Sequence, residues 1–124
     1  SYVTVGLSDA GGQVFSVDEL LHCPVHILCG IARPERFVCT VTELGFHITG
    51  KSFFRDHYRI TNKDIKTVFD KSGREGAKIV LTTEKDMVRI PAPLNGMPMF
   101  AVKIEPHIVS GKDKLIAACL NAVK

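Results

Sequence analysis

Asp56 and His57 are the side chains in this sequence best suited to proton chemistry. They follow the apolar residues Phe53 and Phe54, as polar residues do where a buried strand reaches the edge of a site. Imidazole has an ordinary pKa near neutrality, and a carboxylate within reach raises that pKa and fixes the tautomer of the ring. Neighbouring residues on a strand point to opposite faces, so a purely structural pair is the alternative interpretation.

Two further groups of charged residues could hold an anion. Arg33 and Arg36 flank Pro34 at a predicted helix start, where backbone amides already favour a phosphate or a carboxylate. Two solvated arginines at a tight turn are the alternative. Lys85 and Asp86 follow Glu84 at the start of a predicted short helix, where the alternative is that they are ordinary helix residues with the acids placed favourably against the helix dipole. Because a cation is unfavourable against the helix dipole there, we expect Lys85 to have a role beyond the helix itself.

No metal site is predicted from the histidines and cysteines. The four cysteines lack C-x-x-C spacing, and the histidines at 22, 47 and 107 have no acid or histidine at ligand spacing. His26 lies within an apolar stretch and is predicted to be a core histidine with satisfied hydrogen bonds.

The segment from Gly45 to Ser52 matches G-x-x-x-x-G-K-[ST], the pattern of nucleotide-binding loops. Such a loop must leave a strand and open a helix whose amides cradle the phosphates. Here a predicted helix precedes Gly45, and the residues after Ser52 do not begin an amphipathic helix. We therefore predict a helix cap at Gly45 followed by a strand. A small NTPase using this loop is kept as the lesser alternative.

The elements that must position these residues follow from the apolar patterns. Apolar strands alternate with amphipathic segments, which is typical of a three-layer α/β fold with a mostly parallel sheet and helices on both faces. After a hairpin over 2–15, the predicted strands span 25–29, 46–54, 79–81 and 99–104, and the predicted helices span 16–21, 34–44, 62–72 (ended by Gly73), 83–89 and a last segment from Ser110. Since parallel strands share one carboxyl edge, we expect Arg33, His57 and Lys85 at a single rim.

Length and composition exclude several classes of protein. The chain has 124 residues, 45% hydrophobic and 23% charged, as expected for one globular domain. A net charge of +3 with no Trp and only two Tyr is too weak a signature for a nucleic-acid partner. No segment reaches the run of about 18 apolar residues that spans a bilayer.

Four segments, taken in order, resemble the C-terminal domain of the bacterial lipid A tetraacyldisaccharide 4'-kinase family. They are residues 30–37 (GIARPERF), 44–46 (LGF), 54–58 (FRDHY) and 83–89 (TEKDMVR). The resemblance implies a kinase that uses ATP and Mg²⁺ to phosphorylate the 4'-hydroxyl of an anionic disaccharide lipid. It further implies that the phosphate-binding loop and the metal-holding acids lie in a larger N-terminal domain.

By this resemblance the chain is a fragment, consistent with a sequence that opens on Ser1. Residues 1–16 would be the linker hairpin and 17–124 a single α/β domain. His57 would orient a catalytic carboxylate of the N-terminal domain, with Asp56 as its neighbour. The anion-binding candidates would line the same cleft: Arg33, Arg36, Lys85 and Asp86.

The resemblance also implies a location and a set of partners. The whole protein would be cytoplasmic and peripheral to the inner membrane, and its partners would be its own N-terminal domain and the lipid. The fragment alone would bind no cofactor and have no kinase activity. A free-standing anion-binding or interaction module is the alternative.

Overall fold

A computed structural model describes residues 3–91 and 96–106, which form one six-stranded sheet with four helices. The elements are β1 (Val3–Asp9), β2 (Val14–Ser16), α1 (Val17–Leu20), β3 (Val25–Cys29), α2 (Pro34–Glu43), β4 (Ile48–Phe53), α3 (Asn62–Arg74), β5 (Ile79–Thr83), α4 (Glu84–Arg89) and β6 (Met99–Pro106). The helix predicted from Ser110 lies outside the described residues.

The strands lie in the order β2-β1-β6-β5-β3-β4. The four strands from β6 to β4 are parallel, whereas β1 is antiparallel to both of its neighbours. The mostly parallel sheet and the N-terminal hairpin were both predicted and are confirmed. β1 pairs with β6 at seven positions, from Val3↔Pro106 to Asp9↔Phe100, so the hairpin is built into the edge of the sheet.

The helices cover both faces of the sheet. On one face Phe37 and Val41 of α2 pack in a cluster with Ile27. On the other, Val68 of α3 packs in a second cluster with Leu28. Every residue of β3 is buried, as expected for a strand covered on both sides. The three-layer arrangement is thus confirmed.

Side-chain caps fix where the helices begin. Ser16 and Thr61 each form a capping box, accepting a hydrogen bond from the backbone of Glu19 and Asp64 respectively. Thr83 accepts from the backbone of Asp86 at the start of α4.

Left-handed glycines follow two of the helices. Gly45, with φ of +99°, follows α2 as predicted. The predicted end of α3 at Gly73 is wrong. The helix continues through Arg74, because Gly73 keeps helical geometry and the left-handed residue is Gly76, with φ of +89°.

The sheet has a switch point beside β3. From β3 the chain passes through α2, on one face of the sheet, to β4. From β4 it returns through α3, on the other face, to β5, which lies on the opposite side of β3 from β4. Loops after the strands on either side of a switch point diverge, and the crevice between them is the usual ligand site of such sheets. The loops after β3, β4 and β5 therefore share one rim.

No helix within the described ranges combines the length and the apolar character that crossing a membrane requires.

Candidate functional site

The turn after β4 places Asp56 between two other candidate residues. His57 Nε2 lies 3.5 Å from Asp56 Oδ2, and Lys85 Nζ, from the first turn of α4, lies 3.6 Å from Asp56 Oδ1. The structure therefore brings Lys85 to Asp56 and His57, which lie on a separate segment of the sequence. Half-exposed ion pairs of this kind stabilise a fold by roughly 0–1 kcal/mol, so the fold does not depend on this cluster.

The backbone of His57 is left-handed, with φ of +69°, and it is the non-glycine residue with positive φ among those described. This conformation costs an L-residue about 1–2 kcal/mol. Its imidazole is 83% exposed, so burial does not compensate for the cost. Strain of this kind concentrates at functional sites, where it aims a side chain in a fixed direction.

One carboxylate oxygen of Asp56 is buried without a hydrogen bond. Within the described residues, Oδ1 accepts none, and its nearest recorded cation is the Lys85 ammonium. A buried carboxylate oxygen ordinarily accepts hydrogen bonds, so Oδ1 is an unused acceptor beside the rim.

Asp86 lies inside the domain and connects two of the rim loops. Its carboxylate accepts hydrogen bonds from the Gly30 amide at 3.0 Å, the Thr83 hydroxyl at 2.8 Å and the Arg89 guanidinium at 2.7 Å. Arg89 also donates to the Gly30 carbonyl at 3.0 Å. Because Asp86 is fully buried and its oxygens are occupied, this geometry does not fit the prediction that it binds substrate.

This connection lies under the switch point and fixes the loop after β3 against α4. A Cβ at Gly30 would lie 3.3 Å from Asp86 Oδ1, so the glycine permits the close approach. Burial, with the Asp86 charge nearby, raises the pKa of the Cys29 thiol, which makes it an inert core residue.

Arg89 is a positioning residue that the sequence analysis did not identify. Its signal is the i, i+3 spacing from Asp86 on a short helix.

Arg33 and Arg36 lie at the same rim, at the start of α2. Arg33 is exposed and caps α2 without a side-chain hydrogen bond, and Arg36 Nε is buried without a partner among the described residues. Neither guanidinium forms an ion pair within the described residues. The structure thus places both arginines at the same carboxyl edge of the sheet as the Asp56 cluster and shows no contact between them.

The β4–α3 turn is stiffened by an aromatic pair. Phe54 and Tyr58 stack with ring centroids 5.2 Å apart, and the Tyr58 hydroxyl donates to Asp64 at 2.9 Å. That hydrogen bond raises the pKa of Tyr58. The Thr61 amide, followed by Tyr58, holds the pKa of Asp64 below its usual value. His57 therefore projects from a turn that is held on both sides.

The segment 45–52 is not a nucleotide-binding loop. Gly45 caps α2, and β4 begins at Ile48 and runs through Ser52 without opening a helix. β4 is an edge strand that continues through Gly50, with a register shift opposite Val25 and His26. The alternative of a small NTPase using this loop is wrong, because residues 48–53 form a strand of the sheet and residues 54–61 after it are not helical.

The fold and the rim define the class of protein: a doubly wound three-layer α/β domain with a charged rim at the carboxyl ends of its parallel strands. Residues 7–124 match the family model described as tetraacyldisaccharide-1-P 4'-kinase. The chain therefore belongs to this family, and the resemblance seen in four sequence segments is confirmed.

Relatives agree with the family assignment. A tetraacyldisaccharide 4'-kinase from Desulfotalea psychrophila is 33% identical over 97 residues, covering 77% of this chain and 28% of the relative. Another from Anaeromyxobacter sp. (strain Fw109-5) is 38% identical over 89 residues, covering 71% of this chain and 24% of the relative. The chain thus spans less than a third of the length of these relatives.

A solved structure shares the fold. The crystal structure of "apo" form LpxK from Aquifex aeolicus in complex with ATP superposes with a TM-score of 0.54 and 21% sequence identity. The match covers 98% of this chain and 36% of that one. It supports the three-layer α/β architecture.

Proposed function

We propose that this chain is the C-terminal domain of an ATP-dependent kinase that phosphorylates the 4'-hydroxyl of an anionic disaccharide lipid. The observation that carries the proposal is the convergence of Asp56, His57 and Lys85 at the rim, with His57 held in a left-handed backbone. The family match and the ATP-bound structural neighbour support the reaction class.

The nucleotide and Mg²⁺ would be held mainly by an N-terminal domain. The described residues contain no group of three or more His, Cys, Asp and Glu placed to hold a metal ion. The segment 45–52, which carries the nucleotide-loop pattern, does not form a strand-loop-helix cradle for phosphates. Phosphoryl transfer needs both, because the protein acts by positioning the reactants and neutralising charge. We therefore expect no kinase activity from this chain alone.

His57 would act as a positioning residue across the cleft. Its exposed imidazole can reach a carboxylate of the N-terminal domain and hold it against the attacking 4'-hydroxyl. Asp56 would hold His57 on one side and Lys85 on the other. Lys85, exposed at the start of α4, would neutralise phosphate charge, and Arg33 and Arg36 would bind the anionic substrate.

The lipid substrate would bring the joined enzyme to the inner-membrane surface from the cytoplasmic side. The exposed lysines of α3 are candidates for contact with anionic lipid, which attracts each Lys or Arg by about 1 kcal/mol.

Fragment complementation tests this proposal. The chain is assayed for ATP-dependent phosphorylation of a tetraacyldisaccharide acceptor, alone and fused to the N-terminal domain of the Desulfotalea psychrophila relative. We expect no product from the chain alone and product from the fusion. A fusion that is folded and binds ATP yet makes no product would contradict the proposal and favour a free-standing anion-binding module.

The gene provides an independent check. The proposal requires a second G-x-x-x-x-G-K-[ST] sequence upstream of Ser1 in the same reading frame, within a few hundred codons. A start codon immediately before Ser1 would contradict it.

A further inference from the structure

A second cluster of reactive side chains lies away from the rim, under the end of α3. Ser52 Oγ lies 2.7 Å from His26 Nε2, and His26 Nδ1 lies 2.8 Å from Glu75 Oε1. The three residues form a serine, histidine and carboxylate relay, the order of groups that activates a serine nucleophile. None of them belongs to the rim described above.

The parallel pairing of β3 and β4 builds this relay. His26 lies opposite Gly50 and Leu28 opposite Ser52, so His26 and Ser52 are on the sheet face covered by α3. Glu75 follows α3 and passes over Gly50, where a Cβ would overlap its carboxylate. Gly50 and Ser52, two residues of the false nucleotide-loop pattern, thus have a structural explanation: one makes room for Glu75 and the other bonds to His26.

The hydrogen bonds fix which nitrogen of His26 carries the proton. An ionised carboxylate can only accept, so in the neutral imidazole Nδ1 donates to Glu75 and Nε2 is left to accept from the Ser52 hydroxyl. Burial lowers the pKa of His26, against the opposing effect of Glu75, and Lys71 lowers it further. The lowered pKa favours the neutral imidazole, which is the form that can accept the proton of the Ser52 hydroxyl.

Ser52 also lines an open groove between β4 and α3. The groove has a volume of about 370 Å³, with Phe54 and Val68 as apolar walls and Lys71 at its side. Lys71 Nζ donates to the Lys51 carbonyl at 3.1 Å, which holds the ammonium beside Ser52. The apolar walls suit a small ester with an apolar acyl group, and the Lys71 ammonium at the side of the groove would favour negative charge on the ester oxygen.

We propose that Ser52 is an activated nucleophile that takes the acyl group of a small ester bound in this groove. Ser52 Oγ attacks the carbonyl carbon, and its proton passes to His26 Nε2. The bond from Oγ to the acyl carbon forms, the bond from that carbon to the alkoxy oxygen breaks, and His26 gives the proton to the departing alcohol. Glu75 stabilises the imidazolium between the two transfers. The product is an acyl ester of Ser52.

The test is acetylation of the 124-residue chain by p-nitrophenyl acetate. Peptide mass spectrometry measures the rate at which each serine is acetylated. Ser16 is the internal reference, because it is exposed and its hydroxyl accepts from the Glu19 amide without contacting a histidine among the described residues. General-base catalysis typically contributes about 10²–10⁴-fold, so we expect Ser52 to be acetylated at least roughly tenfold faster than Ser16. Equal rates in the wild-type chain would overturn the proposal.

The Glu75→Gln variant tests the relay. The substitution keeps the volume over Gly50 and removes the charge, so we expect acetylation of Ser52 to slow by roughly tenfold while Ser16 is unchanged. Circular dichroism melting establishes that the variant is folded. An unchanged rate at Ser52 in the folded variant would overturn the proposal. Should the variant unfold, the wild-type comparison with Ser16 decides, and neither result bears on the kinase proposal.

Discussion

At the scale of single residues, His57 is set apart because it combines strain with exposure. Its left-handed backbone is unfavourable for any residue with a Cβ, and its ring is mostly in solvent. With the ring 83% exposed, packing against the described residues does not account for a histidine at this position. The role that we propose for His57 at the rim would account for it.

The cost of this conformation can be measured in the chain itself. In His57→Gly the left-handed backbone is no longer strained, so the free energy of unfolding is expected to rise by about 1 kcal/mol. His47→Gly, at an exposed histidine without positive φ, is the matched control and should lose about 0.5–1 kcal/mol. Urea unfolding measures both. A loss of stability in His57→Gly would show that the ring contributes to the fold.

Asp86 has the opposite character, being buried and bonded. In Asp86→Asn the amide cannot accept from Gly30, Thr83 and Arg89 together, so a loss of roughly 2–4 kcal/mol is expected. Glu84→Gln, an exposed acid in the same helix, should change stability by less than about 0.5 kcal/mol. Thermal unfolding of the two variants measures the difference in their stability. Equal stabilities would contradict the structural role assigned to Asp86.

Residue types in the sequence identify candidate reactive groups. They do not reveal as readily the direction in which each side chain points. Asp56, His57 and Lys85 follow predicted strands, and the sheet topology brings them to one edge. Asp86 is adjacent to Lys85, yet one step along a short helix turns its side chain inward. Glu75 approaches His26 across 49 positions, a contact that no local pattern contains.

At the scale of elements, glycine positions decide how closely β4 and α3 approach. Gly50 in a strand is the sequence signal for a close contact, and the contact is with the Glu75 carboxylate. Gly73, in contrast, lies inside α3 with nothing within 4 Å of an added Cβ. The two glycines therefore respond to substitution in opposite ways.

This contrast gives a paired prediction. Gly50→Ala must displace Glu75 and weaken its bond to His26, so we expect stability to fall by about 1–3 kcal/mol. Gly73→Ala adds only helix propensity and should raise stability by about 0.5–1 kcal/mol. Guanidinium unfolding of both variants tests the sign. A Gly50→Ala variant as stable as the wild type would show that the Glu75 side chain can adopt another position without loss of stability.

Most helix and strand boundaries follow from local chemistry. Thr61 and Thr83 mark helix starts because their hydroxyls accept from the backbone three residues on. The end of α3 could not be read from Gly73, because two glycines lie close together and only the backbone conformation distinguishes them. The strand over Ile79–Thr83 extends two residues beyond the predicted apolar core, since Thr82 is buried between neighbouring strands.

At the scale of the whole molecule, the sheet brings the candidate site residues to one edge, which under our proposal forms one side of a larger site. Three loops converge at the carboxyl edge, where Asp56 lies between His57 and Lys85 while the imidazole and the ammonium remain largely exposed to solvent. The N-terminal hairpin continues the sheet through β6, which is compatible with the proposed linker leading toward a preceding domain. Pairing of β1 with β6 joins residues almost the whole chain apart, so it could not be foreseen from local patterns.

The most direct test of the account is the kinetics of His57→Gln in the joined enzyme. A group that positions the attacking side of the reaction acts in the transition state, so we expect kcat to fall by roughly 10²-fold or more while the KM for ATP changes little. His47→Gln, at the other end of β4, is the matched control and should leave both constants unchanged. Near-normal kcat in His57→Gln would contradict the proposed role of the rim.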